Sequence, residues 1–134
     1  MATKTVIDTN IIVSALSSRS AYHWLIRLLL EEKIELYVTT EIVMEYEEVL
    51  EQKYSPLVAG YFLMALKELP NVHLIQVYYN WGLLNDGDDN KFADCYIAAN
   101  AEYLVTNDKG FNKLKSIPFP SLNVVNIQEF EKII

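Results

Sequence analysis

Short apolar runs alternate along the chain with longer stretches whose apolar positions recur every three or four residues. The first pattern predicts buried strands and the second predicts amphipathic helices. Residues 4–8 read as a strand, followed by a short helix over 10–16 and a longer one over 21–32. Residues 35–38 are strand-like. Thr40 can cap a helix running to about Lys53, with Ile42, Tyr46 and Val49 marking its apolar face. Ser55-Pro56 joins an N-cap serine to a proline at the first helical position, so another helix starts there and ends before Pro70. Residues 72–77 read as a strand, 78–90 as a long loop rich in Asn, Asp and Gly, 91–101 as a helix and 103–106 as a strand. A short helix is expected after Asp108, then a final strand over 122–125. Asn126 with Glu129 forms a capping-box pattern for a last helix.

This alternation predicts an α/β fold, a three-layer sandwich whose central, largely parallel sheet is covered on both faces. No repeat, low-complexity tract or linker interrupts it, so residues 1–134 are expected to form a single domain. In sheets of this kind ligands bind beyond the carboxyl ends of the strands. Two acids fall at such ends. Asp8 closes the run Thr5-Val6-Ile7, and Asp108 follows Tyr103-Leu104-Val105-Thr106-Asn107. A third, Asp94, stands in the apolar stretch Phe92-Ala93-Asp94-Cys95-Tyr96-Ile97-Ala98-Ala99. Ionised carboxylates beside apolar neighbours are costly unless paired, hydrogen-bonded or bound to a metal. Together they suggest one converging acidic site.

Each acid also has a plainer explanation. Asp8, Thr9 and Asn10 are all good helix caps, and Asp108 taken alone reads better as a cap for the helix after it. Asp94 shares its side of the helix with Ile97, Ala98 and Ala101, which gives no clearly wet face. The helix from Thr40 carries Glu41, Glu45, Glu47, Glu48 and Glu51. Glu45 and Glu47 flank its apolar face on opposite margins, and the helical projection does not choose between them. Asp86-Gly87-Asp88-Asp89-Asn90 invites a calcium-loop reading. That loop needs glycine at the sixth position and glutamate at the twelfth, where Lys91 and Ile97 stand. Asp89, about one turn before Asp94, stays a candidate supporting acid. His23 and His73 are isolated, and Trp24, Trp81 and the tyrosines read as core or interface. There is no Gly-rich phosphate loop, no Gly-x-Ser-x-Gly and no His-Glu-x-x-His.

Composition narrows the classes. Half the residues are hydrophobic, which argues against disorder. The net charge of −7, from 18 acids and 11 bases, argues against wrapping nucleic acid by bulk charge. It leaves room for a nucleic-acid enzyme, because bound divalent cations reverse the sign locally. The single cysteine, Cys95, rules out an intramolecular disulfide and a cysteine zinc cage. No signal peptide or membrane-spanning run is legible, so the expectation is a soluble cytoplasmic protein without membrane partners.

Four segments in this order resemble the PIN domain, a family of metal-dependent ribonucleases. They are Val6-Ile7-Asp8-Thr9-Asn10 with the apolar run after it, Glu45 in its mid-chain helix, Asp88-Asp89-Asn90-Lys91-Phe92-Ala93-Asp94, and Tyr103-Leu104-Val105-Thr106-Asn107-Asp108-Lys109. The resemblance is greatest to toxin components of bacterial toxin–antitoxin systems. It implies a five-stranded parallel sheet with the first and fourth strands adjacent. It selects Glu45 over Glu47 and assigns catalysis and metal binding to Asp8, Glu45, Asp94 and Asp108. It gives supporting roles to Asn10 and Thr106, and allows Asp89 to share the role of Asp94. RNA substrate, a small antitoxin partner and a homodimer come with the same resemblance.

An all-oxygen, carboxylate-rich site suits Mg2+ or Mn2+. The expected reaction is in-line attack of water on an RNA phosphodiester, and the resemblance implies a 5′-phosphate and a 3′-hydroxyl as its products. Lys91, Lys109, Lys113 and Lys115 are the nearest candidates for RNA contact. Three other readings compete. An aspartyl-phosphate phosphatase would use Asp8 as nucleophile, but its usual second acid two residues later is Asn10 here. A receiver-like phosphoacceptor expects paired acids before its aspartate. A non-catalytic α/β interaction module would use the acids only as caps.

Overall fold

The computed structural model of the chain describes residues 2–134. One sheet holds five strands, β1 (Thr3–Ile7), β2 (Ile34–Val38), β3 (Val72–Leu74), β4 (Tyr103–Val105) and β5 (Val124–Val125). Their order is β3-β2-β1-β4-β5 and every pairing is parallel. The helices are α1 (Thr9–Ala15), α2 (His23–Leu30), α3 (Thr40–Lys53), α4 (Pro56–Glu68), α5 (Gly87–Ala99) and α6 (Ile127–Ile133), with a 3-10 segment at Lys109–Ser116. The α/β sandwich is therefore as expected, and β1 lies beside β4 with Ile7 opposite Val105.

The apolar pattern explains the layers. The central strand β1 is buried on both faces at its end, with Val6 and Ile7 fully covered. In β2, buried Ile34, Leu36 and Val38 alternate with half-buried Glu35 and Tyr37. Helix α3 buries Ile42, Tyr46 and Leu50, one stripe at helical spacing, and leaves its glutamates to the margins. Ser55 caps α4 ahead of Pro56, and Asn126 and Glu129 close a reciprocal capping box on α6, both as expected.

Boundaries differ where side chains outcompete pattern. Helix α5 begins at Gly87, four residues inside the segment expected to be loop, because the Asp86 carboxylate caps it through the Asp88 N–H. It ends at Ala99, where Asn100 turns into the left-handed region at φ 52°. Thr39, one residue before the expected Thr40, caps α3 by accepting from the Ile42 N–H. Strand β3 stops at Leu74 although 72–77 is apolar enough to continue. The Ile75 N–H still donates to the Val38 carbonyl at 2.8 Å, so this stretch stays beside β2 without forming further ladder. Helix α2 starts at His23, two residues later than expected.

A hydrogen bond joins the helical layer to the last residue of β1, just before Asp8. The hydroxyl of fully buried Tyr46 donates to the Ile7 carbonyl. Tyr46→Phe keeps the packing and removes that donor. We expect a loss of about 1–2 kcal/mol in unfolding free energy, read from urea denaturation, with the native fold kept. No change in midpoint would show the bond to be dispensable.

Candidate active site

The sheet delivers Asp8 and Asp108 to neighbouring strand ends. The Asp8 N–H donates to the Val105 carbonyl at 3.0 Å, so β1–β4 pairing continues right up to the acid. Asp8 occupies the N-cap position of α1, and its carbonyl accepts from the N–H groups of Ile11 and Ile12. Its side chain, however, makes no capping bond. The carboxylate instead accepts from the Thr106 hydroxyl at 2.7 Å. The same Thr106 oxygen accepts from the Asp108 N–H at 3.0 Å, which links the two strand ends through one threonine. Asp108 is exposed and does cap, accepting from the Gly110 N–H at 2.8 Å. Its plainer reading therefore holds alongside its place in the site.

Asp8 is only 6% exposed, so solvent does little for its charge. Burial raises its pKa, the Thr106 hydroxyl and the Thr9 N–H lower it, and Glu45 and Asp108 push it up again.

Glu45 reaches the site from α3. One carboxylate oxygen accepts from the Thr9 hydroxyl, and the other pairs with the Lys91 ammonium at 2.7 Å. Lys91 is one of the four lysines that are the nearest candidates for RNA contact. Its side chain is only 13% exposed, and its ammonium also donates to the Asp88 carbonyl at 2.6 Å.

On α5, the acid that meets the others is Asp89. A side chain built on Gly110 would put its Cβ 3.2 Å from one Asp108 carboxylate oxygen and 3.9 Å from one of Asp89, so the two acids converge over that glycine. The Asp89 carboxyl is pushed up to about 6, first by burial and then by Asp86, Asp108, Asp8 and Glu45. Asp94 lies five residues on, about 140° around the helix. It is buried, its carboxylate accepts from the Trp81 N–H at 3.0 Å, and burial and Glu41 raise its pKa. The structure thus brings together Asp8, Glu45, Asp89 and Asp108, and turns Asp94 aside. Asp94 lines a cavity of about 570 Å³ with Thr39, Glu41, Gln76, Asn80 and Lys91, over the ends of β2 and β3.

Of the expected supporting residues, Thr106 has its bond to Asp8. Asn10 is exposed, and among the described residues no hydrogen bond joins its side chain to the acids. The sequence does not single out Thr9, because between one aspartate and an asparagine it reads as one of three helix caps. Cys95 has no place in the chemistry, since burial pushes its thiol up to about 12.

The donors suit a hard cation in type and charge, all being carboxylate oxygens. A carboxyl raised first by burial and then by its acidic neighbours, as at Asp89, is one that a positive charge would settle. Among the described residues, no three such groups are gathered closely enough to hold an ion as they stand. Lys91 is the cation that now neutralises Glu45.

An acidic cluster beyond the carboxyl edge of a parallel α/β sheet defines a candidate cation-dependent hydrolytic centre. The chain belongs to the PIN domain family, whose model matches residues 4–110. Comparison with curated proteins gives no match. Among solved structures, it is similar to VapBC2 from Rickettsia felis bound to a promoter DNA fragment, with TM-score 0.61 and 20% identity over 91% of this chain and 97% of that one. FitAcB from Neisseria gonorrhoeae gives TM-score 0.61 and 16% identity, covering 92% and 98%. Mycobacterium tuberculosis VapC20, described as a Sarcin-Ricin loop cleaving toxin, gives TM-score 0.59 and 13% identity, covering 81% and 92%. At these identities the likeness is one of fold.

The raised Asp89 pKa has a consequence for stability without metal. A carboxyl whose pKa is higher folded than unfolded favours the folded state at low pH, and that contribution is lost as pH rises through the folded value. In chelator, the Asp89 contribution should therefore fall away between pH about 4 and about 6. Asp89→Asn should melt higher than the parent chain at pH 7.5 and show a flatter dependence across that window. Equal melting temperatures at pH 7.5 would show that Asp89 feels no net repulsion.

Proposed function

We propose that this chain is a Mg2+- or Mn2+-dependent endoribonuclease that serves as the toxin of a toxin–antitoxin pair. The observation that carries the reading is the buried Asp8 carboxylate, which caps nothing and is held by Thr106 toward Asp108, Glu45 and Asp89. Membership of the PIN family supports it, as does the likeness in fold to VapC20, described as a Sarcin-Ricin loop cleaving toxin.

Asp8, Asp89 and Asp108 are the carboxylates we assign to the ion, with Glu45 beside them. Thr106 fixes the orientation of Asp8 and Thr9 that of Glu45. The ion supplies, when bound, acidity for a water nucleophile and positive charge against the phosphodiester. Asp94 anchors the segment at Trp81 and shapes the neighbouring cavity, through which we route the RNA strand. A phosphatase working through Asp8 lacks its second acid, since Asn10 is exposed and carries no charge. Among the described residues no helix is long and apolar enough to cross a membrane. A small antitoxin protein is the partner that this reading implies; between α2 and α4 an apolar groove of about 290 Å³ leaves Leu30 and Tyr61 exposed.

Purified protein should cleave RNA with Mn2+, stop in chelator, and lose cleavage in Asp8→Asn. Thr106→Val, which leaves every carboxylate in place, should weaken Mn2+ binding about 10–100-fold in calorimetry. Of the two α5 acids, Asp89→Asn should weaken Mn2+ binding more than Asp94→Asn. Cleavage that survives both chelator and Asp8→Asn would overturn the nuclease reading. A larger loss for Asp94→Asn would return Asp94 to the ion.

A further inference from the structure

Both oxygens of Glu45 are engaged, one by the Thr9 hydroxyl and one by the Lys91 ammonium at 2.7 Å. The pair is shielded, with side-chain exposures of 13% for Lys91 and 28% for Glu45, unlike the open surface pairs that contribute little. Lys91 is pinned at a second point, the Asp88 carbonyl at 2.6 Å. An ammonium has three N–H donors, so one is left over. Lys91 also lines the 570 Å³ cavity beside the acids. It therefore sits where the acidic cluster meets the proposed path of the RNA strand.

Two-metal nuclease sites clamp the attacking and leaving oxygens between two divalent cations. Here one side of the cluster already carries a tethered, compact positive charge. We propose that the Lys91 ammonium stands in for a second metal ion, so that the site binds one divalent cation on Asp8, Asp89 and Asp108 while Glu45 stays paired with lysine. The remaining Lys91 N–H then meets a non-bridging phosphate oxygen of the strand entering from the cavity. The inference rests on the nuclease reading. It makes Lys91 a built-in part of the charge that faces the substrate.

Calorimetric titration of the full chain with Mn2+ tests it without reference to turnover. The parent chain should bind about one ion, and Lys91→Met, which frees Glu45, about two. Lys91→Arg keeps the charge and should stay at about one. If Lys91→Met does not fold, Lys91→Gln carries the same expectation, because it too removes the positive charge that neutralises Glu45. Two ions on the parent chain would overturn the inference and leave the nuclease reading standing. So would a charge-removing variant that loses melting temperature but still binds one, since Lys91 would then be only a structural tie. No binding by the parent chain would overturn both.

Discussion

The arrangement depends on holding the Asp8 carboxylate, with hardly any water around it, at the end of the central strand. Burial alone would favour its neutral form. The Thr106 hydroxyl and the Thr9 N–H oppose that, and both exist only because of where β1 ends. Thr106 follows β4, and its N–H donates to the Val125 carbonyl at 2.9 Å, so β5 holds it from the far side. Tyr46 holds the Ile7 carbonyl from the helical layer. Three independent pieces of the fold therefore converge on one carboxylate. A shift of any of them would move Asp8 relative to Asp108.

The cluster works against the stability of the chain that carries it. Asp8 and Asp89 are both pushed toward protonation, first by burial and then by neighbours of like charge. A core built only for stability would not gather them. The surrounding structure sustains the repulsion with hydrogen bonds to one side of each acid: Thr106 on Asp8, Gly110 on Asp108 and Thr9 on Glu45. Such strain kept within a well-packed frame is common where charge has to be ready for a ligand. Here the frame is the fully buried set around Ile7, Ile42, Phe92, Val105 and Phe111.

Much of this was legible in the sequence, and for identifiable reasons. Contiguous apolar runs ending in Asp8 and before Asp108 placed both acids at strand ends, because strands buried on two faces cannot tolerate a charge before they stop. The capping box at Asn126 and the Ser55-Pro56 start were local signals, and local bonds fulfilled them. Helix α3 was harder. Glu45 and Glu47 flank its buried stripe on either side; the family resemblance chose Glu45, and in the fold Thr9 from α1 and Lys91 from α5 are what engage it. The start of α5 was misplaced because Asp86-Gly87-Asp88 reads as a turn, whereas Asp86 caps a helix there. That earlier start puts Asp89 within the first turn, where it faces the strand-end acids. Asp94 drew attention as a lone charge among apolar residues, and its burial was rightly anticipated. What a helical projection could not supply was its partner, the Trp81 N–H from a preceding segment with no periodic pattern.

The seam between α3 and α5 explains why two similar acids on one helix come to differ. Glu41 and Glu45 are one turn apart on α3, and Asp94 and Asp89 lie on successive stretches of α5. Glu41 is the charged neighbour that raises Asp94, while Glu45 is among those that raise Asp89. The two pairs are distinguished by what balances them. Asp94 has a backbone N–H and, among the described residues, no ion pair, so its charge is held as part of the cavity wall. At the other pair Lys91 supplies a full positive charge to Glu45, and Asp8 and Asp108 add two more acids. A divalent ion gains most where several carboxylates repel one another and least where one is already satisfied by the backbone. By that reasoning the proposed ion sits over β1 and β4. The Asp94 side, over β2 and β3, is then the approach to it.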